Sequence, residues 1–451
     1  MHVPKYQNYL ANGIWNHNTG LGKMACALEW ARQVMAVTGG RVLILAPVVE
    51  LERQYIEEAA RFYGDDLAVE VIPTRDALIE WLPRKGKALG IATYHKFIPG
   101  QISELRHLAG IVADESSILK TGGGVIKWNL IKSARGIQYK LSMTATPAPN
   151  EAMEYASQAS FLEKLRSENE VIWTFFTDDK YGNWRIKAHA RDAFYRFLAS
   201  WSLYMRNPAA FGFADILSTL PAPEISEERI ALTEEQQQVL YREMAKNGQG
   251  MLVDDRISMT VRSKLLQAAR GFRYEGKGSC RAALRIDSHK PARVAEWTRQ
   301  QVAEGRQTLI WTTFDEEGAI LTELLSDAPF TTAILDGGMN DEERGAVLAR
   351  FRAGDVAVLI SKPQLIGYGL NLQFVKSMCF SGFDDSFERV YQATRRAVRF
   401  GQTEQVRVFI PYVPELEGLV FSNIRRKESR FMEDVAAMEA AYITALKEIQ
   451  A

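Results

Sequence analysis

The feature that most restricts the fold is a rhythm of short apolar runs, each about one buried strand long, that occurs in two separate blocks. In the first block the runs are "RVLILAP" (41–47), "LGIATY" (89–94), "GIVADE" (110–115) and "YKLSMTATP" (139–147), each ending in small or polar residues. Between them lie amphipathic segments such as "ACALEWARQVMAV" and "VELERQYIEEAARFY". Strands alternating with helices in this way predict a parallel sheet covered by helices on both faces. The rhythm returns in "QTLIWTTF" (307–314), "TTAILDGG" (331–338), "VAVLIS" (356–361), "SMCFSGF" (377–383) and "VRVFIP" (406–411), which predicts a second parallel α/β lobe. The stretch from about 160 to 290 breaks it with Trp173, Trp184, Trp201, a Pro/Gly-containing segment and two helical patterns, and reads as a helical elaboration plus a crossover between lobes. The end of the chain reads as a charged helix.

The bulk numbers narrow the function classes. A chain of 451 residues can hold two independent cores, and 47% apolar with 24% charged residues is ordinary for a globular protein. Zero formal net charge means that any affinity for nucleic acid must come from a local basic surface. Cys26, Cys280 and Cys379, odd in number and widely spaced, support neither a disulfide framework nor a zinc ribbon. No apolar run approaches the ~18 residues of a membrane span, and no secretory signal pattern opens the chain, so the expectation is a cytoplasmic protein with no membrane partner.

Three short motifs carry chemistry in the first block. "TGLGKM" (19–24) sets two glycines and a lysine before a helix. Backbone N–H groups of Thr19, Gly20, Leu21 and Gly22 can approach phosphate oxygens there, and Lys23 can neutralise the β and γ charges. Taken alone, these six residues also suit a glycine-rich turn. The pattern wants Ser or Thr after the lysine as a Mg²⁺ ligand, and Met24 offers only a thioether; His17 is bulky where a small residue is expected. "IVADESS" (111–117) ends an apolar strand in adjacent carboxylates, suited to Asp114 as a metal ligand and Glu115 as the group that polarises the attacking water. "SMTATPAPN" (142–150) places Thr144 and Thr146 at a strand tip, either a coupling element or a turn.

"TGLGKM", "LAPVVELERQ", "ATYHKF", "ADESS" and "MTATP" follow the order of motifs I, Ia, Ib, II and III of superfamily 2 helicases. With "GLGK" and "DESS" followed by "ILK", the chain most resembles the Swi/Snf-like translocases and their phage-type DEAD/DEAH-box relatives. "GYGLNLQ" (367–373), containing Gly369, and "YQATRRAVRFGQ" (391–402) resemble motifs V and VI, the latter as Gln392, Arg396, Arg399, Gly401 and Gln402. Arg395 and Val398 replace the acidic and His residues common in chromatin remodellers. The resemblance implies two RecA-like lobes, ATP and Mg²⁺ as ligands, and Gln392, Arg396 and Arg399 completing the nucleotide site. Arg396 and Arg399, three apart, are expected on one face of a helix. It also implies a nucleic-acid partner, DNA rather than RNA, met by the strand tips after Pro47, Thr93 and Tyr94 and by the loop near Gly337 and Gly338.

Residues 1–18 fit no helicase motif. "NYLANGIWNHN|T" resembles the C-terminal splicing blocks of an intein, in which Asn18 cyclises, His17 assists by proton transfer and Thr19 offers the accepting hydroxyl. Gln7 and Asn16 depart from that pattern. The other reading is an N-terminal helicase strand with Gln7 as an adenine-reading glutamine. The sequence thus divides as an intein remnant (1–18), an ATP-binding lobe (19–205), a helical crossover (206–290), a C-terminal lobe (291–415) and a terminal helix (416–451). If the intein is split, its N-terminal fragment is a further partner. The function expected is ATP-dependent translocation on nucleic acid; a weak ATP-binding scaffold and a restriction-system motor subunit are the alternatives.

Overall fold

Continuous apolar runs need cover on both faces, and the computed structural model shows how they obtain it. It describes residues 14–16, 23–120, 124–144, 152–178, 184–204, 220–246, 258–276, 282–366, 372–398 and 402–450. The chain divides into two units, residues 1–215, 367–370 and 429–451 in one and residues 216–366 and 371–428 in the other.

The first unit is built on a parallel sheet. In chain order its strands and helices are β1 (Ile14–Asn16), α1 (Lys23–Thr38), β2 (Arg41–Ala46), α2 (Val49–Tyr63), β3 (Val69–Val71), α3 (Arg75–Trp81), β4 (Ala88–Thr93), β5 (Gly110–Asp114), α4 (Val125–Ser133), β6 (Tyr139–Thr144), α5 (Tyr155–Phe161), α6 (Glu168–Phe175), the hairpin β7 (Phe176–Asp178) and β8 (Trp184–Ile186), α7 (Arg191–Ala199) and β9 (Ser202–Tyr204). The sheet runs β3-β4-β2-β5-β6-β1-β9. β2 and β5 are buried along their whole length. On α2, Leu51, Tyr55 and Ala59 recur every fourth residue and all face the core. Gly110 opens β5 because Trp30 and Val34 of α1 lie so close that a Cβ would meet both at 3.1 Å. Helices α1 and α2 are clasped at the surface by Glu29, which accepts hydrogen bonds from Arg32, Gln33 and Tyr63.

A strand does precede the glycine-rich loop. Ile14–Asn16 pairs in parallel with β6, Ile14 opposite Ser142 and Asn16 opposite Thr144, and on its other side with β9. Ile14–Asn16, three residues of the segment that resembles a splicing block, thus hold a place in the sheet between β6 and β9.

The second unit repeats the architecture with β10 (Glu224–Arg229), α8 (Glu234–Lys246), α9 (Met259–Ala269), the hairpin β11 (Phe272–Glu275) and β12 (Ala282–Arg285), α10 (His289–Ala303), β13 (Thr308–Trp311), α11 (Asp315–Leu324), β14 (Thr332–Leu335), α12 (Asp341–Ala353), β15 (Val358–Ser361), β16 (Ser377–Phe380), α13 (Phe387–Arg395) and β17 (Arg407–Tyr412). Its sheet runs β10-β17-β16-β13-β15-β14, all parallel. The stretch read as a helical crossover therefore also holds strands, and β10 pairs along its length with β17. Beneath the sheet lies a buried charge cluster. Lys290 Nζ is 2.8 Å from both Glu417 carboxylate oxygens, Arg270 lies 3.3 Å from Glu317, and Ser381 donates to Glu317. Gly382 is required there, since a Cβ would sit 2.6 Å from Arg270 Nε and 2.6 Å from Glu317 Oε1.

The last helix, α14 (Pro414–Gln450), begins in the second unit, where Leu416 joins an apolar cluster, and ends in the first, where Tyr442 joins the core. Tyr195 donates to Asp434 at 2.6 Å and Tyr155 to the Met438 sulfur at 2.9 Å. Among the described residues no helix is long and apolar enough to cross a membrane.

Candidate nucleotide site

Parallel strands deliver their C-terminal ends to one side of a sheet, where the helix N-termini also begin. In the first unit this brings the end of β5 to the start of α1. Lys23, the first residue of α1, places Nζ 2.7 Å from Glu115 Oε2, and both side chains are largely shielded, at 14% and 10% exposure. Glu115 adopts φ +49°, one of two non-glycine residues among those described with positive φ. That left-handed turn aims its carboxylate at Lys23, at a cost of about 1–2 kcal/mol for an L-residue.

Asp114, next to it, is buried and fully engaged. Its Oδ2 accepts a hydrogen bond from the Tyr55 hydroxyl at 2.8 Å, its Oδ1 accepts one from the Glu115 N–H at 2.9 Å, and its carbonyl accepts one from the Tyr94 hydroxyl at 2.8 Å. Burial pushes the Asp114 carboxyl above the usual carboxylate range, and nearby Lys23 pulls it back. Burial likewise raises the Tyr55 and Tyr94 phenols well above their ordinary value, so both stay protonated donors.

The turn after Glu115 is held from its other side. Ser142 of β6 donates to Gln158 Oε1 and shares a 2.8 Å hydroxyl–hydroxyl hydrogen bond with Ser116, while Gln158 Nε2 donates to the Ser116 carbonyl at 2.9 Å. Ser116, Ser142 and Gln158 are all inaccessible to solvent.

These residues fit a triphosphate: a lysine at a helix N-terminus faces two adjacent carboxylates. Among the described residues there is no cluster of three or more His, Cys, Asp or Glu that could cage a metal. Asp114 is the carboxylate that would hold a Mg²⁺ ion, which ordinarily takes one or two carboxylates together with phosphate oxygens and water. Met24 adds no hydroxyl; its side chain packs against the apolar core of the first unit.

The other sequence-predicted residues divide. Thr144 ends β6 and is fully buried. Pro47, Thr93 and Tyr94, proposed from sequence as the bases of surface tips, have buried side chains, and the Tyr94 hydroxyl is directed inward to Asp114. Gly337 and Gly338 are exposed just before α12, with the Gly338 N–H donating to Asp336. His17, Asn18, Thr19, Gly20, Leu21, Gly22, Thr146, Gly369, Arg399 and Gly401 lie outside the described residues.

In the second unit, Gln392 is buried on α13 and donates to Glu388 at 3.2 Å. The expectation that Arg396 lies within a helix is corrected. α13 ends at Arg395 and Arg396 is its C-cap, because the Arg396 carbonyl accepts from Leu372 N–H and its guanidinium is held by the Pro363 carbonyl and the Trp311 ring. Gln402 donates to the carbonyls of Gln373 and Val375, tying down the segment that follows the Gly369 motif.

Sequence reading missed Tyr55 and Gln158. Tyr55 occupies a helical core position, where a tyrosine reads as packing. Gln158 was more legible, as the lone amide in "YASQASF", a helix that is buried throughout.

Comparison with known proteins gives two family matches. Residues 8–155 match the DEAD/DEAH box helicase family and residues 289–401 match the helicase conserved C-terminal domain. A 104-residue segment is 29% identical to Chromodomain-helicase-DNA-binding protein 1-like of Danio rerio, covering 23% of this chain and 10% of that protein. Among solved structures, the Sulfolobus solfataricus SWI2/SNF2 ATPase core in complex with dsDNA is similar at 20% identity and a TM-score of 0.41, over 96% of this chain and 92% of that one. Two regions of the chain are thus similar to helicase families, a DEAD/DEAH box helicase region followed by a helicase conserved C-terminal region.

Proposed function

We propose that the chain is an ATP-driven translocase or helicase of the Swi/Snf-like branch, acting on DNA. The observation that carries this reading is Lys23 at 2.7 Å from Glu115 beside a buried Asp114. Lys23 serves the β- and γ-phosphates of ATP, and Glu115, released from Lys23 when phosphate takes its place, orients and polarises the attacking water. Mg²⁺, when bound, offsets charge on the phosphates next to Asp114. Thr19 to Gly22 supply backbone N–H groups to the phosphates, and the motif resemblance assigns Gly369, Gln392, Arg396 and Arg399 to ATP hydrolysis as well. Thr144 and Thr146 belong to the coupling element. Nucleic acid is met by backbone around the strand ends at Pro47 and Thr93 and around Gly337 and Gly338, chiefly through phosphates. DNA is favoured over RNA by the name of the Danio rerio relative, a helicase-DNA-binding protein.

The test is phosphate release from ATP with single- and double-stranded DNA and RNA. Hydrolysis stimulated most by DNA supports the reading, and its absence with every nucleic acid overturns it. Met24, packed against apolar side chains where a hydroxyl would serve the metal, favours one other reading, a weak ATP-binding scaffold. Undetectable hydrolysis that Met24→Thr rescues would establish the scaffold instead.

For residues 1–18 the splicing-type ending His17-Asn18-Thr19 supports an intein remnant. The family match from residue 8 and the pairing of Ile14–Asn16 support a helicase strand. Expression together with the coding sequence upstream separates them: mass spectrometry finds Thr19 joined to a new segment in the first case, and residues 1–18 retained in the second.

A further inference from the structure

Asp114 is the meeting point of two tyrosines that come from different strand ends. Tyr55 lies on α2, the helix that begins directly after the Pro47 turn, and its hydroxyl binds the carboxylate. Tyr94 directly follows Thr93 at the end of β4, and its hydroxyl binds the Asp114 carbonyl. Both rings are fully buried. With Glu115 N–H on the remaining carboxylate oxygen, Asp114 has each of its three oxygens held by a different segment.

We propose that Tyr55 and Tyr94 are positioning residues that carry displacements of the Pro47 and Thr93 strand ends to the Asp114–Glu115 turn, and so couple nucleic-acid contact to ATP hydrolysis. This rests on the reading given under Proposed function, since it needs both ligands. The physical case has three parts. Both links are 2.8 Å hydrogen bonds from side chains closed off from solvent, so no water is at hand to replace either donor. A buried hydrogen bond to a charged acceptor, as from Tyr55 to the Asp114 carboxylate, is among the stronger ones, so the carboxylate follows its donor rather than losing it. The residue that must respond, Glu115, sits at φ +49°, where a small shift of Asp114 alters a strained backbone and the aim of its carboxylate. Two buried hydroxyls that merely satisfied Asp114 could come from any neighbour. Here they come from the two segments that flank the proposed nucleic-acid contacts of this unit.

The test uses the full chain with Tyr55→Phe, which removes one hydroxyl and keeps the ring in the core. ATP hydrolysis is measured without DNA and over a titration of double-stranded DNA, with thermal unfolding as a check on folding. The expected result is a basal kcat and KM for ATP within about twofold of wild type, an unchanged half-saturating DNA concentration, and a stimulation factor reduced about fivefold or more. Tyr94→Phe provides an independent arm and should lower the same stimulation factor. Equal stimulation in wild type and Tyr55→Phe overturns the coupling role alone. A parallel fall in basal and stimulated rates also overturns it, because that is the mark of a purely structural hydroxyl. Absence of DNA-stimulated hydrolysis in the wild type overturns the functional reading and this inference with it.

Discussion

Lys23 and Glu115, separated by 92 positions in sequence, form a 2.7 Å ion pair between the first turn of α1 and the turn after β5. On the proposed function each is the residue that the other's task requires to be displaced, phosphate taking the lysine before the glutamate is free to act on water. On this basis Glu115→Gln should retain ATP binding and lose about 100-fold or more in kcat, in the range of general-base removal. Lys23→Ala should lose both. Equilibrium nucleotide binding alongside steady-state phosphate release distinguishes the two, and equal loss of binding in both variants would refute the division of roles.

The left-handed backbone at Glu115 makes a stability prediction independent of activity. Glu115→Ala and Glu115→Gly both delete the ion pair, but only glycine relieves φ +49°. The glycine variant should therefore unfold at higher denaturant, by about 1 kcal/mol relative to alanine, the reverse of their order in a helix. Both should be inactive, so that catalysis and backbone strain are read separately.

Gln158 should matter more than its distance from the phosphate site suggests. Gln158→Leu leaves the Ser116 carbonyl without its buried donor and removes one of the two partners of the Ser142 hydroxyl, at a cost of about 1–3 kcal/mol. If the amide also orients the catalytic turn, kcat should fall while KM for ATP holds. A loss of stability with kcat intact would restrict Gln158 to packing.

The clasp between α1 and α2 sets an acid limb. Hydrogen bonding from Arg32, opposed by burial and aided by Gln33 and Tyr63, lowers the Glu29 carboxyl from 4.5 to about 2. A carboxyl lowered on folding adds stability that is complete above the unfolded value and disappears as pH falls through the folded one. Wild type should therefore be more stable than Glu29→Gln at neutral pH, with the gap closing between pH 4.5 and about 2. Urea denaturation at a series of pH values checks this, and a constant gap would disprove it.

The buried charges in the second unit should behave as a set. Lys290→Met takes the nearest cation from Glu417, leaving Arg270 at 3.7 Å and the Val413 N–H beside it, and should cost up to about 3–5 kcal/mol. Adding Glu417→Gln should cost less than the sum of the two single changes, with a coupling of about 0.5–3 kcal/mol. Additive losses in a double-mutant cycle would show that Arg270 and Glu317 alone hold the cluster.

The legible parts of this fold are those whose physics is local. Strands such as β2 and β13 are apolar on both faces and stand out as unbroken runs, and α2 announces itself through Leu51, Tyr55 and Ala59. Lys23, Asp114 and Glu115 were readable because phosphate chemistry restricts residue types at fixed spacing. β10 was not, since "EISEER" is mostly exposed and, among the described residues, makes its ladder on one side only. The helix end before Arg396 depended on Pro363 and Trp311, which are remote in sequence. The inward turn of Tyr94 depended on Asp114 for the same reason.

β10 also bears on how the chain behaves while it folds and afterwards. An edge strand offers one row of unpaired backbone groups to any other strand that comes near. Here that row carries Glu224, Glu227 and Glu228, each paired with an arginine of its own unit, Arg407, Arg425 and Arg293 respectively. A neighbouring chain adding at this edge would meet a row of ion-paired carboxylates rather than apolar side chains, the kind of charged margin that disfavours strand addition.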